Sequence, residues 1–208
     1  MRKKISIIGG GTAGIFLAAF LNKDIYDITI YEKKSSPGRK FLVAGDGGFN
    51  LTHAKELSEF KLQYTPTSFL DKTLDHFTNT DLRAWLLDLG IPTFIGSSGR
   101  VFPEKGIKPI EVLNAIKTHL LEKNVKFEFK KTFTAWDKEN ALEFNSKEIV
   151  KSDLVVFALG GASWKVTGSD GSWLNVFEQK GIDTIPFVSS NCAYQIKWND
   201  QFIQRHEG

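Results

Sequence analysis

The 208-residue sequence has a single cysteine, Cys192. That excludes an intramolecular disulfide and fits a reducing compartment, the cytoplasm. A lone cysteine reads as packing rather than as a reactive thiol. Charge of one sign is lacking as well. The 27 Lys and Arg face 24 Asp and Glu, a net charge of +3, too weak to single out nucleic acid or an anionic membrane as a partner. The pairs Lys3-Lys4, Lys33-Lys34 and Lys130-Lys131 read as solvated loop or strand-end charge. No apolar run approaches the ~20 residues of a membrane span. Ile5-Ser6-Ile7-Ile8, behind Arg2-Lys3-Lys4, is too short for a secretory leader and is broken at once by glycines. No His, Cys, Asp and Glu share a metal-ligand spacing. His53 lies within a motif, whereas His76, His119 and His206 read as surface residues. Ser163 stands in Gly160-Gly161-Ala162-Ser163 without the Gly-x-Ser-x-Gly frame of a nucleophile elbow. What remains is 41% hydrophobic and 25% charged, enough for the core of one large domain, or of one domain and a piece of another.

The most informative segment runs Ile5-Ser6-Ile7-Ile8-Gly9-Gly10-Gly11-Thr12-Ala13-Gly14 and is followed by Ile28-Thr29-Ile30-Tyr31-Glu32. It predicts a strand, a glycine turn, a helix and a second strand ending in an acid, the unit that holds the ADP half of a dinucleotide. Gly9 permits the sharp turn out of the strand. Gly11 lets the main chain approach a pyrophosphate without a Cβ in the way, and Gly14 lets the helix pack close to the sheet. The amides at the helix start, at Thr12 and Ala13, face the phosphates with partial positive charge. Glu32 stands about 20 residues on, where a carboxylate accepts hydrogen bonds from ribose hydroxyls. Its charge disfavours a 2′-phosphate and so NADP at this site, and Lys33 follows it at the strand end. NAD and FAD both present a free adenosine ribose. The alternative is a glycine turn that no longer holds a ligand.

Beyond this unit, residues 33–54 read as a loop with little core of its own. Residues 55–90 read as helical, clearest from Asp81 to Leu89, with Thr80 as N-cap and Gly90 as the stop. Residues 91–108 read as irregular. Pro109 to Glu122 repeats Val112, Leu113, Ile116 and Leu120 at helical spacing behind an N-terminal proline. The period then changes to two at Val125, Phe127 and Phe129. With Thr132–Trp136, Ala141–Phe144 and Glu148–Val150 this predicts a small antiparallel meander. Asp153–Ala158 is an apolar run with the signature of a parallel strand buried on both faces, ending at a second glycine turn, Gly160-Gly161. Gly171 to Lys180 reads as a last helix, and residues 182–208 as extended and then polar. The fold class is α/β: a Rossmann-like central parallel sheet with an antiparallel meander. The segments between the first βαβ unit and the later strand, and the second glycine turn, favour FAD over NAD.

These residues resemble the two-dinucleotide-binding flavoproteins related to glutathione reductase. More narrowly, Gly38-Arg39-Lys40-Phe41-Leu42 and Gly45-Asp46-Gly47-Gly48-Phe49-Asn50-Leu51-Thr52-His53 are similar to a bacterial family of FAD-dependent flavoproteins. Some members are described as NAD(P)/FAD-dependent oxidoreductases and some as 3-dehydro-bile-acid reductases. Gly99-Arg100-Val101-Phe102-Pro103, Gly160-Gly161-Ala162-Ser163 and Thr167-Gly168-Ser169-Asp170-Gly171 match the same family in order. Many members carry Arg-Cys-Asn where this chain has Gly48-Phe49-Asn50, so thiol chemistry beside a flavin is not expected.

The resemblance implies an FAD-dependent oxidoreductase with NAD(P)H as reductant and a small-molecule substrate. It covers the N-terminal half of such proteins: residues 1–190 as the FAD-binding domain and 191–208 as the start of a second, substrate-side domain. An apolar surface that the second half would cover is then expected to be open and to support self-association. Under the resemblance, Arg39 and Lys40 meet pyrophosphate or flavin oxygens, or else stand as solvated loop charge. Asn50, Leu51 and Thr52 meet the flavin ring edge, or else bond locally within a turn. Phe133 offers backbone to adenine, or is plain strand, and Gly160 and Gly161 bring backbone to the cofactor. Two readings stand beside this one: an NAD-only Rossmann enzyme, and a non-catalytic module that keeps the fold without a cofactor.

Overall fold

A computed structural model describes residues 1–43, 49–189 and 197–206. The motif stretch Gly45–Gly48, Cys192 and the side chain of His206 lie outside the described residues.

The first unit forms as its sequence dictates. Strand β1 (Lys3–Ile8) leads through the glycine turn into α1 (Thr12–Phe20), and β2 (Tyr26–Glu32) returns parallel to β1. The chain continues through short helix α2 (Arg39–Leu42) and strand β3 (Thr52–His53), then α3 (Leu57–Lys61), α4 (Asp71–His76) and α5 (Asn79–Asp88). Next come β4 (Thr93–Ile95), β5 (Arg100–Pro103), α6 (Pro109–Glu122) and β6 (Lys126–Phe129). Strands β7 (Phe133–Trp136), β8 (Leu142–Phe144) and β9 (Glu148–Val150) precede β10 (Leu154–Phe157), α7 (Trp173–Gln179) and α8 (Asp200–His206).

The central sheet is parallel, in the order β10-β1-β2-β6. Alternation along its inner strands sorts the side chains between two faces. Ile5, Ile7, Ile28 and Ile30 pack with Ile15, Ala18 and Ala19 of α1, Leu86 of α5, and Val112, Ile116 and Leu120 of α6. Ile8 and Tyr31 turn to the other face and pack with Phe133, Leu142 and Phe144 of the meander. Tyr31 stacks on Phe144 with ring centroids 4.6 Å apart. Trp136, Phe157 and Phe177 extend this second core under α7. The sheet is therefore covered by helices on one face and by the meander and α7 on the other. Each fully buried aliphatic side chain contributes roughly 1.5–3 kcal/mol to this closure.

Several expectations are corrected. Helix α5 begins two residues early, with Thr78 as its N-cap rather than Thr80. The Thr78 hydroxyl accepts the Asp81 amide at 3.0 Å, while the Asp81 carboxylate accepts the Thr78 amide at 2.8 Å. A capping box needs an acid three residues after the cap; Thr78 has one, whereas Arg83 stands in that place for Thr80. Residues 91–108 are not irregular. Antiparallel β4 and β5 pair there, and β3 joins β5; strands this short leave hardly one period of alternation to read.

The strand Lys126–Phe129 belongs to the parallel sheet, beside β2, so the meander has only β7, β8 and β9. Strand β10 is not buried on both faces. It has β1 on one side and no strand on the other among the described residues, and Leu154 is 44% exposed. The 55–90 stretch is three separate helices, the 33–54 loop contains α2 and β3, and the C-terminal polar stretch contains α8. His119 is half-buried, with its ring edge against Trp85 at 6.0 Å; His76 is exposed as expected.

Candidate functional site

The glycine turn shows what each glycine is for. Gly9 has φ +111°, and a Cβ there would stand 2.3 Å from the Ala158 carbonyl oxygen at the end of β10. Both the backbone conformation and the neighbouring strand demand glycine. A Cβ on Gly14 would stand 2.0 Å from the Gly9 carbonyl oxygen and 3.2 Å from Ile7 Cγ2, so α1 lies directly on the turn. Gly11 differs: a Cβ there would meet no atom within 4 Å. Its missing side chain leaves open space, which is what close approach of a ligand to the backbone requires. Gly11 is also the N-cap of α1 and has no side-chain cap. The amides of Thr12, Ala13 and Gly14 precede the first intrahelical bond, from Ile15 N–H to Gly11 O at 3.0 Å.

This turn borders an open cleft of about 150 Å³. The cleft lies at the carboxyl ends of β1, β2 and β10, reached by Ile8, Glu32 and Ala158. In the sheet order, β1 is flanked by β2 and by the much later β10. That is the topological switch point at which open α/β sheets bind ligands.

One wall of the cleft carries Gly9 to Gly11, Tyr31 to Lys33, Arg39 and Lys40. Glu32 is half-buried and engaged through both oxygens: Oε2 accepts the Gly10 amide and Oε1 the Lys34 amide, each at 2.8 Å. A carboxylate has about four lone-pair sites, so capacity remains for ribose hydroxyls. Lys33 Nζ forms an ion pair with Asp170 at 2.9 Å. Lys40 donates to the Ser163 hydroxyl. Arg39 is exposed on the cleft and, among the described residues, has no hydrogen-bond or ion-pair partner. Arg39 and Lys40 are thus the two wall cations not neutralised by a carboxylate; Lys131 is held by Glu148.

The opposite wall, from Leu159 to Val176, was only partly legible. Gly160 lines the cleft with φ +73°, and its carbonyl accepts from Trp173 Nε1 at 2.9 Å. The Gly161 carbonyl accepts the Ser169 hydroxyl, and Gly161 itself is not a lining residue. Phe133 lines the cleft at 8% exposure and packs on Phe144, Trp136 and Phe157. Lys131, Thr167, Gly168, Asp170, Ser172 and Trp173 complete the surface. Of these, Lys131 and Asp170 are the charged residues that sequence reasoning did not assign to the site; for Asp170, its place in Thr167–Gly171 was the available signal. Burial alone would raise the Asp170 carboxyl. Hydrogen bonds from Lys33 and from the hydroxyl and amide of Ser172, with the Lys33 charge, outweigh it and bring the group to about 2.

Not every expected residue meets at this cleft. Asn50 and Leu51 line a separate cavity of about 250 Å³, walled by Phe16, Phe41, Leu82, Leu86 and Val112. Thr12 lines that cavity, whereas its neighbour Gly11 lines the cleft. Thr52 sits beyond, in β3, paired with Val101. Ala13 is exposed in the first turn of α1 and lines neither space. The expected site residues therefore do not all meet: some line the cleft, some the second cavity and some neither, and the neighbours Gly11 and Thr12 line different spaces.

The open space at Gly11, the free amides of α1, the two unneutralised cations and the Glu32 carboxylate suit a dinucleotide with a pyrophosphate and a free ribose. Among the described residues, no group of His, Cys, Asp and Glu could hold a metal ion, and no helix is long and apolar enough to cross a membrane.

Comparison with known proteins agrees with this architecture. Residues 3–189 match the family described as "HI0933-like protein Rossmann domain". The chain is 26% identical over 209 residues to a ribosomal RNA dihydrouridine synthase of Haemophilus influenzae, covering 97% of this chain and 51% of that protein. It is 28% identical over 205 residues to a 3-dehydro-bile acid delta(4,6)-reductase of Clostridium scindens, covering 93% and 48%. The chain thus spans about half the length of these curated relatives. Among solved structures, THI4 of Thermovibrio ammonificans superposes with a TM-score of 0.52 at 16% identity, over 88% of this chain and 64% of that one; at that identity the likeness concerns the fold. With a family match that takes in nearly the whole chain, the protein belongs to the HI0933-like family of FAD-binding Rossmann domains.

Proposed function

We propose that this chain binds FAD in the cleft and serves as the cofactor half of a cytoplasmic oxidoreductase that takes reducing equivalents from NAD(P)H and passes them to a small-molecule substrate. The observation that carries the reading is the open space at Gly11, set at the switch point between β1 and β10 with Glu32 at the end of the neighbouring strand. Glu32 would hold the adenosine ribose, the α1 amides and Arg39 the pyrophosphate, and the Lys131–Phe133 stretch the adenine side. Gly160 would border the cofactor on the far wall. When bound, the flavin supplies the hydride chemistry. The residues of this chain bind and orient it, and Tyr31, raised above the ordinary tyrosine value chiefly by burial, stays a neutral wall of the cleft.

Both relatives bear names of reactions that saturate a double bond, which supports an unsaturated substrate activated for hydride addition. The weak net charge of +3 favours a small molecule over RNA. Self-association draws support from apolar side chains left exposed, Ile185 at 88% and Val188 at 87%; light scattering that gives a monomer at high concentration overturns it.

The test of the main reading is direct. The purified protein is expected to be yellow, or to become so on adding FAD, with flavin absorption that stays with the protein through gel filtration. Binding of NADH without flavin uptake would favour an NAD-only Rossmann enzyme. A colourless protein that takes up neither would leave a non-catalytic module. Retention of a uridine-containing RNA by the flavin-loaded protein, with no reduction of small unsaturated acceptors, would overturn the small-molecule substrate.

A further inference from the structure

The second wall of the cleft enters it through a loop that holds itself together. Trp164 and Ser169 exchange backbone hydrogen bonds at 3.2 and 3.1 Å, and the Thr167 amide reaches the Trp164 carbonyl at 3.2 Å. The ends of the loop meet: a Cβ on Gly171 would stand 2.9 Å from that of Ala162. Gly160, Gly168 and Gly171 all have positive φ, at +73°, +97° and +70°. Gly160–Gly171 is thus a compact Ω-type loop bonded chiefly to itself.

Its ties to the opposite wall are side chains only. Lys33 pairs with Asp170 at 2.9 Å, and Lys40 donates to Ser163. The Lys33 and Lys34 stems lie against Gly168, where a Cβ would be 3.3 Å from each Cε. Among the described residues, no backbone hydrogen bond joins this loop to the glycine turn or to the segment after β2. The Lys33–Asp170 side chains are 30% and 27% exposed, shielded enough to hold one geometry yet at the mouth of the cleft.

Resting on the FAD reading, the structure assigns to Lys33 and Asp170 the role of a clasp that closes the Gly160–Gly171 loop onto the nucleotide half of the cleft and slows departure of the dinucleotide. Lys33 is then a positioning residue that acts through Asp170, rather than a ligand of the phosphates. The two assignments differ in sign. In a clasp, losing either partner has the same effect, and losing both adds nothing. If Lys33 instead binds phosphate directly, Asp170 competes for it, and removing Asp170 tightens binding.

The experiment compares wild type, Lys33→Met, Asp170→Asn, the double variant and the swapped pair Lys33→Asp with Asp170→Lys. FAD release is followed by the recovery of flavin fluorescence, and hydrogen exchange of residues 160–171 is measured in the nucleotide-free protein. We expect each single variant to release FAD roughly 2- to 5-fold faster, the range of a partly exposed ion pair. The double variant should match the singles, and the swapped pair should recover part of the loss, because Asp170→Lys removes the acceptor of the Ser172 amide and hydroxyl. Exchange across the loop should rise in the singles and fall back in the swap. Tighter FAD binding by Asp170→Asn, or unchanged release and unchanged exchange in both singles, overturns the clasp. If wild type binds neither FAD nor ADP, the cofactor reading fails and the inferred effect on dinucleotide release fails with it; loop exchange still reports separately whether the pair holds the loop.

Discussion

Glu32 reaches back from the end of β2 and accepts the amide of Gly10 at 2.8 Å, tying the glycine turn to the neighbouring strand. Its other oxygen takes the Lys34 amide at the same distance. The carboxylate proposed to meet ribose thus also shapes the turn proposed to meet pyrophosphate. Glu32→Ala leaves two partly buried amides without acceptors, and hydrogen bonds to charged groups are worth roughly 1.5–3 kcal/mol each. We expect a clear fall in thermal stability of the cofactor-free protein together with weaker FAD binding. Calorimetry and flavin titration check both; a variant with wild-type stability and only weakened binding would show that the shaping role is negligible.

The three motif glycines should separate by experiment. Gly9→Ala and Gly14→Ala place a Cβ 2.3 and 2.0 Å from backbone oxygens and should each destabilise the fold by several kcal/mol, Gly9→Ala through strained backbone and overpacking and Gly14→Ala through overpacking. Gly11→Ala meets nothing within 4 Å. It should fold with nearly wild-type stability and lose FAD affinity, because its methyl enters the space left for the ligand. Thermal melts set beside FAD titrations decide this, and undiminished affinity in Gly11→Ala would place the pyrophosphate elsewhere.

Asp170 gives the pH response a defined sign. Its carboxyl is lowered from 3.8 to about 2 in the folded protein, its hydrogen bonds and the Lys33 charge outweighing burial. A lowered carboxylate contributes stability above its unfolded value, and that contribution is lost as pH falls through the folded value. Wild type should therefore lose stability between pH 3.8 and about 2 more steeply than Asp170→Asn. Melting temperatures of the two proteins across that window test it, and parallel curves would show that the pair adds nothing.

The start of α5 offers a local test. Thr78→Ala removes the hydroxyl that accepts the Asp81 amide at 3.0 Å and should cost about 1 kcal/mol. Thr80→Ala, in the exposed first turn, should change stability by less than about 0.5 kcal/mol. Denaturant titration distinguishes the two.

Local elements were legible because their causes are local. Pro109 and the run Val112, Leu113, Ile116 and Leu120 mark α6 to the residue. The short runs Thr132–Trp136, Ala141–Phe144 and Glu148–Val150 mark β7, β8 and β9. Strands β3, β4 and β5 were not legible, and their stability comes from pairing with one another. The Thr80 cap failed because two threonines compete for one helix start, and the acid at Asp81 decides between them.

By itself, the sequence determined the ligand class. The demand for positive φ at Gly9, the small residues of α1 and the acid ending β2 all act within the first βαβ unit, where chain neighbours suffice. Tertiary structure alone decided what completes the site. It brought Asp170 to Lys33 across 137 residues, left β10 with β1 as its one strand neighbour among the described residues, and sent Asn50 and Leu51 to a different cavity from Gly11. Such pairings depend on how the two faces of the sheet close. That closure is driven by burial of apolar area, which is non-directional, so no residue type or spacing announces in advance which distant side chains it will bring together.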